Sequence, residues 1–271
     1  MIARNVRVDC SEEIDVRPSV ALAVRHISAG YAGNRNAIED VSFDVHHGER
    51  ISVIGPNGAG KSTLFKSLVG LVPHTKGYIS LYGRDCETSH GMIGYVPQYE
   101  DIDWNFPVTV FDVVMMGRIG KIGWFRFPRR KDRDIVSDVL KQVGMQDFAK
   151  RQIGELSGGQ KRRVFIARAL AQETDILILD EPFSGVDVNA QQEIMNTLNK
   201  LTTAGITLLL STHDLSVAST EFDRMLLIKQ RVIACGRPAD VFKPDILNEA
   251  YGNQIGILQQ NGETVIIADR H

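Results

Sequence analysis

Cysteine is scarce in this chain. Three cysteines, Cys10, Cys86 and Cys235, are scattered over 271 residues, odd in number and without a C-x-x-C pair. That usage argues against a disulfide framework or a cysteine zinc site and suits a reducing cytosol. Long apolar runs are missing as well. The longest uninterrupted one, Val20–Val24, is strand-sized, far short of the ~20 residues a helix needs to span a bilayer. The opening stretch MIARNVRVDCSEEIDVR is broken by charge and holds no secretory h-region. Neither sign of charge dominates: 31 basic against 33 acidic residues leave a formal charge of −2, which excludes a dedicated nucleic-acid coat. There is no internal repeat and no low-complexity tract. With 43% hydrophobic and 24% charged residues, the composition is that of an ordinary globular protein. The length fits one domain, or one domain with an inserted lobe.

What is present is an α/β pattern beginning at Val20. Residues 1–19 read as a polar extension ending near Pro18. Strand-like runs follow near 21–27, 43–45, 50–54, 78–82 and 93–96. Three short, nearly continuous apolar runs, Ile51–Ile54, Ile176–Leu179 and Ile206–Leu210, suit parallel strands buried on both faces. Helical stripes follow: Leu64, Phe65, Leu68 and Val69 after the first, and Ala190, Ile194, Leu198 and Leu201 after the second. This alternation predicts a mainly parallel core sheet covered by helices. Residues 107–172 differ. They offer helical runs near 109–117, 131–143 and 159–172 and no convincing strand, which predicts a helical lobe inserted into a body spanning 20–240. Within it, Arg118–Arg133 carries seven basic residues and one acid. Such a run is either a solvated loop or a contact for lipid headgroups or an acidic partner surface. The tail, 241–271, continues with a short helix and two apolar runs flanking Asn261-Gly262, a hairpin signal.

The most specific motif is Gly55-Pro56-Asn57-Gly58-Ala59-Gly60-Lys61-Ser62, which fits G-x-x-x-x-G-K-[ST]. A chance match in a chain of this length has odds of roughly one in a hundred. Glycines let the backbone curl so that successive N–H groups face phosphate oxygens. Lys61 would reach the β- and γ-phosphates and the Ser62 hydroxyl would ligate Mg²⁺. The helix that follows adds the positive end of its dipole.

Two further groups stand at the carboxyl ends of predicted strands, where open α/β sheets bind ligands. The run Ile176–Leu179 ends in Asp180-Glu181. Two acids beside a buried strand need a compensating charge; Mg²⁺ would supply it for Asp180 and leave Glu181 to polarise an attacking water. The run Ile206–Leu210 leads through Ser211 and Thr212 to His213, read as a γ-phosphate contact. A second glycine-rich element, Leu156-Ser157-Gly158-Gly159-Gln160, opens the predicted helix 159–172, with Lys161, Arg162 and Arg163 in its first turn. Cations there oppose the helix dipole, and an anion docked on the Ser-Gly-Gly backbone would relieve the conflict.

Together these elements resemble the ATP-binding cassette family over nearly all of 20–240. Leu156–Gln160 matches that family's signature, Gly55–Ser62 its phosphate loop and Ile176–Glu181 its acidic strand. Gln98 in Gly94-Tyr95-Val96-Pro97-Gln98 resembles the glutamine loop, and Ser184-Gly185-Val186-Asp187 the aspartate loop. Tyr31 lies where the adenine-stacking aromatic is expected. The resemblance implies a P-loop NTPase fold with N-terminal antiparallel strands and an inserted helical subdomain, with ATP and Mg²⁺ as cofactors. It also implies a head-to-tail homodimer. Each ATP would be held by Tyr31, Gly55, Asn57, Gly58, Ala59, Gly60, Lys61, Ser62 and Thr63 of one chain and by Ser157, Gly158, Gly159 and Gln160 of the other. Glu181, His213, Lys61 and Gln98 would carry the chemistry, and Ser62, Gln98 and Asp180 would hold the metal. The stretch from Tyr99 through Trp104, Phe106, Met116-Gly117-Arg118, Trp124 and Phe125 is similar to bacterial importers of free divalent metals, manganese before zinc or iron. Uptake of iron chelates, haem or cobalamin is the alternative, and a non-transport cassette ATPase the alternative from another class. The partners implied are separate membrane permease subunits and, through them, a solute-binding protein, with no nucleic acid. The expected location is the cytoplasmic face of the cell membrane.

Overall fold

Three buried strand runs and the helices between them organise the chain. A computed structural model describes residues 20–31, 34–85, 92–98, 107–123, 126–252, 255–260 and 263–268. The polar extension 1–19 lies outside the described residues, as do Trp104, Phe106, Trp124 and Phe125. The chain forms two compact units, one from Met1–Thr88 with Leu210–His271 and the other from Ser89–Leu209.

The first unit opens with β1 (Val20–Tyr31), β2 (Asn34–His46), β3 (Arg50–Ile54), α1 (Lys61–Leu68), β4 (His74–Leu81) and β5 (Arg84–Asp85). Strands β2, β1, β4 and β5 form an antiparallel sheet in that order. β1 and β2 are longer than the apolar runs 21–27 and 43–45 suggest. Their register shifts at several points, and each shift breaks the alternation that sequence reading relies on. The alternation that survives buries Leu22, Val24, Ile27, Val41, Phe43 and Val45 on one side.

The second unit contains β6 (Ile93–Val96), α2 (Val110–Met116), α3 (Ile119–Ile122), α4 (Arg130–Gln142), α5 (Gly158–Leu170), β7 (Ile176–Leu179) and α6 (Val188–Thr203), and then β8 (Thr207–Ser211) begins. β6 and β7 pair in parallel, and all four residues of β7 are fully buried, as a continuous apolar run requires. Among the described residues of 107–172 no strand forms; helices occupy the three predicted spans. Their ends follow local chemistry. Thr109 and Asp112 form a capping box at α2, the Thr109 hydroxyl accepting from Asp112 N–H and the Asp112 carboxylate from Thr109 N–H. At the other end, α2 passes so close to α5 that a Cβ on Gly117 would lie 2.1 Å from the Arg168 carbonyl oxygen.

The chain returns to the first unit through α7 (Leu215–Thr220), β9 (Arg224–Lys229), β10 (Arg231–Gly236), α8 (Pro238–Val241) and α9 (Pro244–Tyr251), and ends with the antiparallel pair β11 (Ile255–Gln260) and β12 (Glu263–Ala268). β3 pairs in parallel with β9, and β9 turns back on β10. The apolar run Met225–Ile228 that forms β9 carries the same strand signal as the three runs singled out above and was not among them. α9 buries Leu247 and Ala250 in the core cluster that holds Ile54, Leu215, Met225 and Leu227. Among the described residues, no helix is long and apolar enough to cross a membrane.

One buried ion-pair network fixes the helical segment. Arg118, 3% exposed, donates from Nε to Asp132 Oδ1 at 3.2 Å and from Nη1 to the Ala171 carbonyl and Glu173 Oε2, each at 2.7 Å. The Asp132 carboxyl is held below its ordinary value, first by the Arg129 backbone N–H and then by Arg118. The Glu173 carboxyl is lowered chiefly by the Arg118 hydrogen bond. Replacing Arg118 with Ala strands Asp132 and is expected to lower stability by about 3 kcal/mol at pH 7. Both carboxyls have lowered folded values, so this stabilisation is present above their unfolded values near ~4 and is lost as pH falls through the folded ones. Urea titrations should therefore show a smaller difference between wild type and Arg118→Ala at pH 3 than at pH 7.

Candidate functional site

The first unit carries the phosphate loop between the end of β3 and the start of α1. Two glycines are required there by contact as well as by conformation. A Cβ on Gly55 would lie 2.2 Å from the Ile228 carbonyl oxygen of β9. Gly60, with φ 97°, is the N-cap of α1, and a Cβ on it would meet Ile38 Cγ2 at 2.5 Å and the Ala37 carbonyl oxygen at 2.7 Å. The loop is tied to its surroundings through the backbone, with Gln230 N–H donating to Ala59 O at 2.8 Å and Glu39 N–H to Gln230 O at 2.7 Å. Asn57 and Gly58 face solvent, whereas Lys61 and Thr63 are buried. Lys61 Nζ donates to Gly55 O at 2.9 Å and to Pro56 O at 3.3 Å, so the ammonium lies folded against the carbonyls of its own loop. Burial pushes the Tyr251 phenol up, opposed in part by the nearby Gly55 backbone. Sequence reading did not single out Tyr251; a tyrosine at the end of a short helix carries no local sign that it meets a loop almost two hundred residues earlier.

Two other candidates belong to the same unit. Tyr31 ends β1 with 49% of its surface exposed. His213 is exposed just past β8. The segment around it is fixed on both sides: Thr212 N–H donates to Val53 O of β3 at 3.2 Å, and Asp214 caps α7 by accepting from Ser216 and Val217 N–H.

The second unit holds the acid pair, Gln98 and the second glycine-rich element. Asp180 follows β7 and is 1% exposed, its N–H donating to Val96 O at 2.9 Å. Gln98, half-buried, stands two residues beyond β6. Glu181 takes a left-handed backbone conformation, φ 47°, which is unfavourable for a residue with a side chain and tends to occur where function demands it.

The geometry of Ser157–Gln160 shows how this helix start is held within the protein itself. Ser157 Oγ accepts from Gln160 N–H at 3.3 Å and Gln160 Oε1 accepts from Ser157 N–H at 3.0 Å, a capping box on α5. Of the three cations that follow, Arg162 is 3% exposed and donates to Ser184 O at 2.6 Å, while Arg163 pairs with Glu193 at 3.0 Å. The protein itself thus engages at least two of the charges set against the dipole. Gly159 lies against α6, where a Cβ would sit 2.7 Å from Ala190 Cβ. Asp187 caps α6, accepting from Ala190 N–H at 2.9 Å. Among the described residues, no cluster of three or more His, Cys, Asp or Glu could hold a metal ion unaided.

A glycine-rich phosphate loop between a strand and a helix in the first unit and, in the second, a buried strand ending in Asp-Glu together with a helix opening on Ser-Gly-Gly-Gln are the elements of an ATP-binding cassette. The family model described as ABC transporter matches residues 38–184, and the chain belongs to that family of transport ATPases. It is 46% identical over 234 residues to the manganese transport system ATP-binding protein MntB of Bacillus subtilis (strain 168), covering 86% of this chain and 92% of that one. It is 44% identical over 216 residues to the zinc transport system ATP-binding protein TroB of Treponema pallidum (strain Nichols), covering 80% of this chain and 81% of that one. A dimeric ATP-binding cassette solved in a post-hydrolysis state with ADP and Pi superposes with a TM-score of 0.68 at 26% identity, covering 80% of this chain and 98% of that one.

Gly60→Ala tests the loop directly. The substitution forces a Cβ into a left-handed position against Ile38 and Ala37. It is expected to cost on the order of 1–3 kcal/mol in stability and to weaken ATP binding by roughly tenfold or more. Thermal unfolding and titration with a fluorescent ATP analogue measure the two effects.

Proposed function

We propose that this chain is the ATP-hydrolysing subunit of an importer for a free divalent metal cation, manganese first and zinc or iron next. It would act on separate permease subunits from the cytoplasmic face of the membrane, with a solute-binding protein delivering the cargo and with no nucleic acid involved. The observation that carries the proposal is the 46% identity, along 92% of its length, to a protein named for manganese transport.

In this reading Tyr31 stacks on adenine and residues Gly55–Thr63 wrap the phosphates with backbone N–H groups. Lys61 exchanges the carbonyls of Gly55 and Pro56 for phosphate oxygens. An all-oxygen donor set of one hydroxyl (Ser62), one amide (Gln98) and one buried carboxylate (Asp180) suits Mg²⁺, which is usually held by one or two carboxylates together with substrate phosphates. The lack of a stand-alone acidic or histidine cluster among the described residues fits an ion that arrives with its nucleotide. When bound, it would neutralise charge on the β- and γ-phosphates. Glu181 accepts a hydrogen bond from a water and orients its oxygen toward the γ-phosphorus. The new P–O bond forms as the bond to the β,γ-bridging oxygen breaks and ADP leaves with that electron pair; the proton lost by the water passes to Glu181, and His213 donates to a γ-phosphate oxygen. Ser157–Gln160 of a second copy close over the same γ-phosphate, so hydrolysis is tied to dimer opening, and opening moves the permease. The dimeric cassette with ADP and Pi noted above supports this arrangement by analogy.

Glu181→Gln should retain ATP affinity, lose at least about 99% of turnover and accumulate a dimer with ATP on size-exclusion chromatography. A variant that stays monomeric or turns over normally would remove Glu181 from its role. Affinity purification of the tagged chain from solubilised membranes should recover a polytopic permease, and reconstituted vesicles should take up manganese in an ATP-dependent way. Recovery of a ribosomal or DNA-repair complex instead would overturn the transport assignment.

A further inference from the structure

The second unit has a cavity of about 290 Å³ that the nucleotide chemistry does not use. Five cations line it, Arg118, Lys121, Arg126, Arg129 and Lys131, with Phe127 beside them. Two carboxylates, Asp132 and Glu173, also reach it, and both are bound to Arg118 at its buried base. The other four cations are exposed and, among the described residues, enter no ion pair. With five cations against two carboxylates, the wall of the cavity carries an excess of positive charge even though Glu173 also feels Lys121 and Lys131.

Two features beside the cavity bear on this charge. The first turn of α4 carries Arg130, Lys131 and Arg133 against one acid, Asp132, which caps the helix from inside by accepting from the Arg129 N–H, so cations outnumber carboxylates at the positive end of the helix dipole. Unlike the cations at the start of α5, these point outward and are exposed. Phe127 is 91% exposed, the most exposed of the large hydrophobic side chains among the described residues. It sits between Arg126 and Arg129 in the run Arg126-Phe127-Pro128-Arg129-Arg130-Lys131. An aromatic ring exposed to water gains nothing there. A ring flanked by cations matches a surface that is anionic at the headgroup level and apolar just beneath.

We infer that this cavity is a binding site for the phosphate headgroup of an anionic phospholipid, with Lys121, Arg126, Arg129 and Lys131 around the phosphate and Phe127 inserted at the acyl boundary. The stems of the lysines and arginines can lie along the apolar layer while their heads stay with the phosphates. The site gives the chain its own hold on a membrane, separate from any permease contact, and it does not depend on the cargo proposed above.

The test is flotation of the full chain with vesicles of pure phosphatidylcholine or of phosphatidylcholine with phosphatidylglycerol. Binding is expected only to the second and should weaken as salt is raised. Replacing Lys121, Arg126 and Lys131 together with Gln should weaken it on the order of 100-fold, from about fivefold per cation. Phe127→Ser should weaken it by about tenfold. All four positions are exposed, Arg118 is left intact, and ATPase turnover should match wild type in both variants, which separates loss of this site from failure of the nucleotide chemistry. Equal binding to both vesicles, no binding to either, or unchanged affinity in the triple variant would overturn the inference. Full competition by millimolar inorganic phosphate with Phe127→Ser unaffected would also overturn it, in favour of a free phosphate anion. Binding to permease-containing membranes but not to phosphatidylglycerol vesicles would replace the lipid with an acidic protein surface.

Discussion

A backbone without side chains at Gly55 and Gly60 is the constraint on which the rest of the first unit depends. The chain must leave β3, turn through left-handed conformations and enter α1 while passing within contact distance of the Ile228 carbonyl on one side and of Ala37 and Ile38 on the other. Those neighbours belong to β9 and β2, so the loop couples the parallel strands to the antiparallel sheet through its own backbone. Lys61 closes the turn from inside by bonding to the Gly55 and Pro56 carbonyls. An ammonium held on two carbonyls can be released to a phosphate without first being stripped of bulk water, which favours a pre-formed site.

The second unit relies on charge where the first relies on glycine. Arg118 is buried and satisfied by Asp132, Glu173 and the Ala171 carbonyl, and so joins the start of α4 to the loop after α5. Arg162 links α5 to the loop after Glu181 through its bond to the Ser184 carbonyl. A buried guanidinium held by several partners, as Arg118 is, acts as a rigid bracket, since removing one partner leaves the others desolvated and unpaired. These brackets fix the helix that begins with Ser157–Gln160 and the loop that carries Glu181, which is what a transport ATPase needs if hydrolysis is to move a helical segment as one piece.

The basic wall beside Phe127 adds a contrast within the same unit. Arg118, Arg162 and Arg163 are turned inward and paired, whereas Lys121, Arg126, Arg129 and Lys131 are turned outward and left to solvent. Composition cannot separate the two sets, because the side chains are alike. Burial decides which charges brace the fold and which remain available to a membrane surface.

The strand and helix periods, the phosphate loop, the acid pair after β7 and the glycine-rich start of α5 were legible in the sequence, because each rests on local rules: apolar runs of strand length, 3.6-residue stripes and the backbone freedom of glycine. The same rules applied to Met225–Ile228 would have found β9. The register shifts that lengthen β1 and β2 were not legible, since a bulge cancels the alternation that marks a strand. Nor was the fate of the cations after Gln160, nor the meeting of Tyr251 with Gly55. Which arginine is buried, which tyrosine meets the phosphate loop and which glycine must lack a Cβ depend on residues far apart in sequence. Those contacts exist only once the sheet and helices have packed, so the sequence determined the chemistry available and the tertiary structure decided which groups could use it.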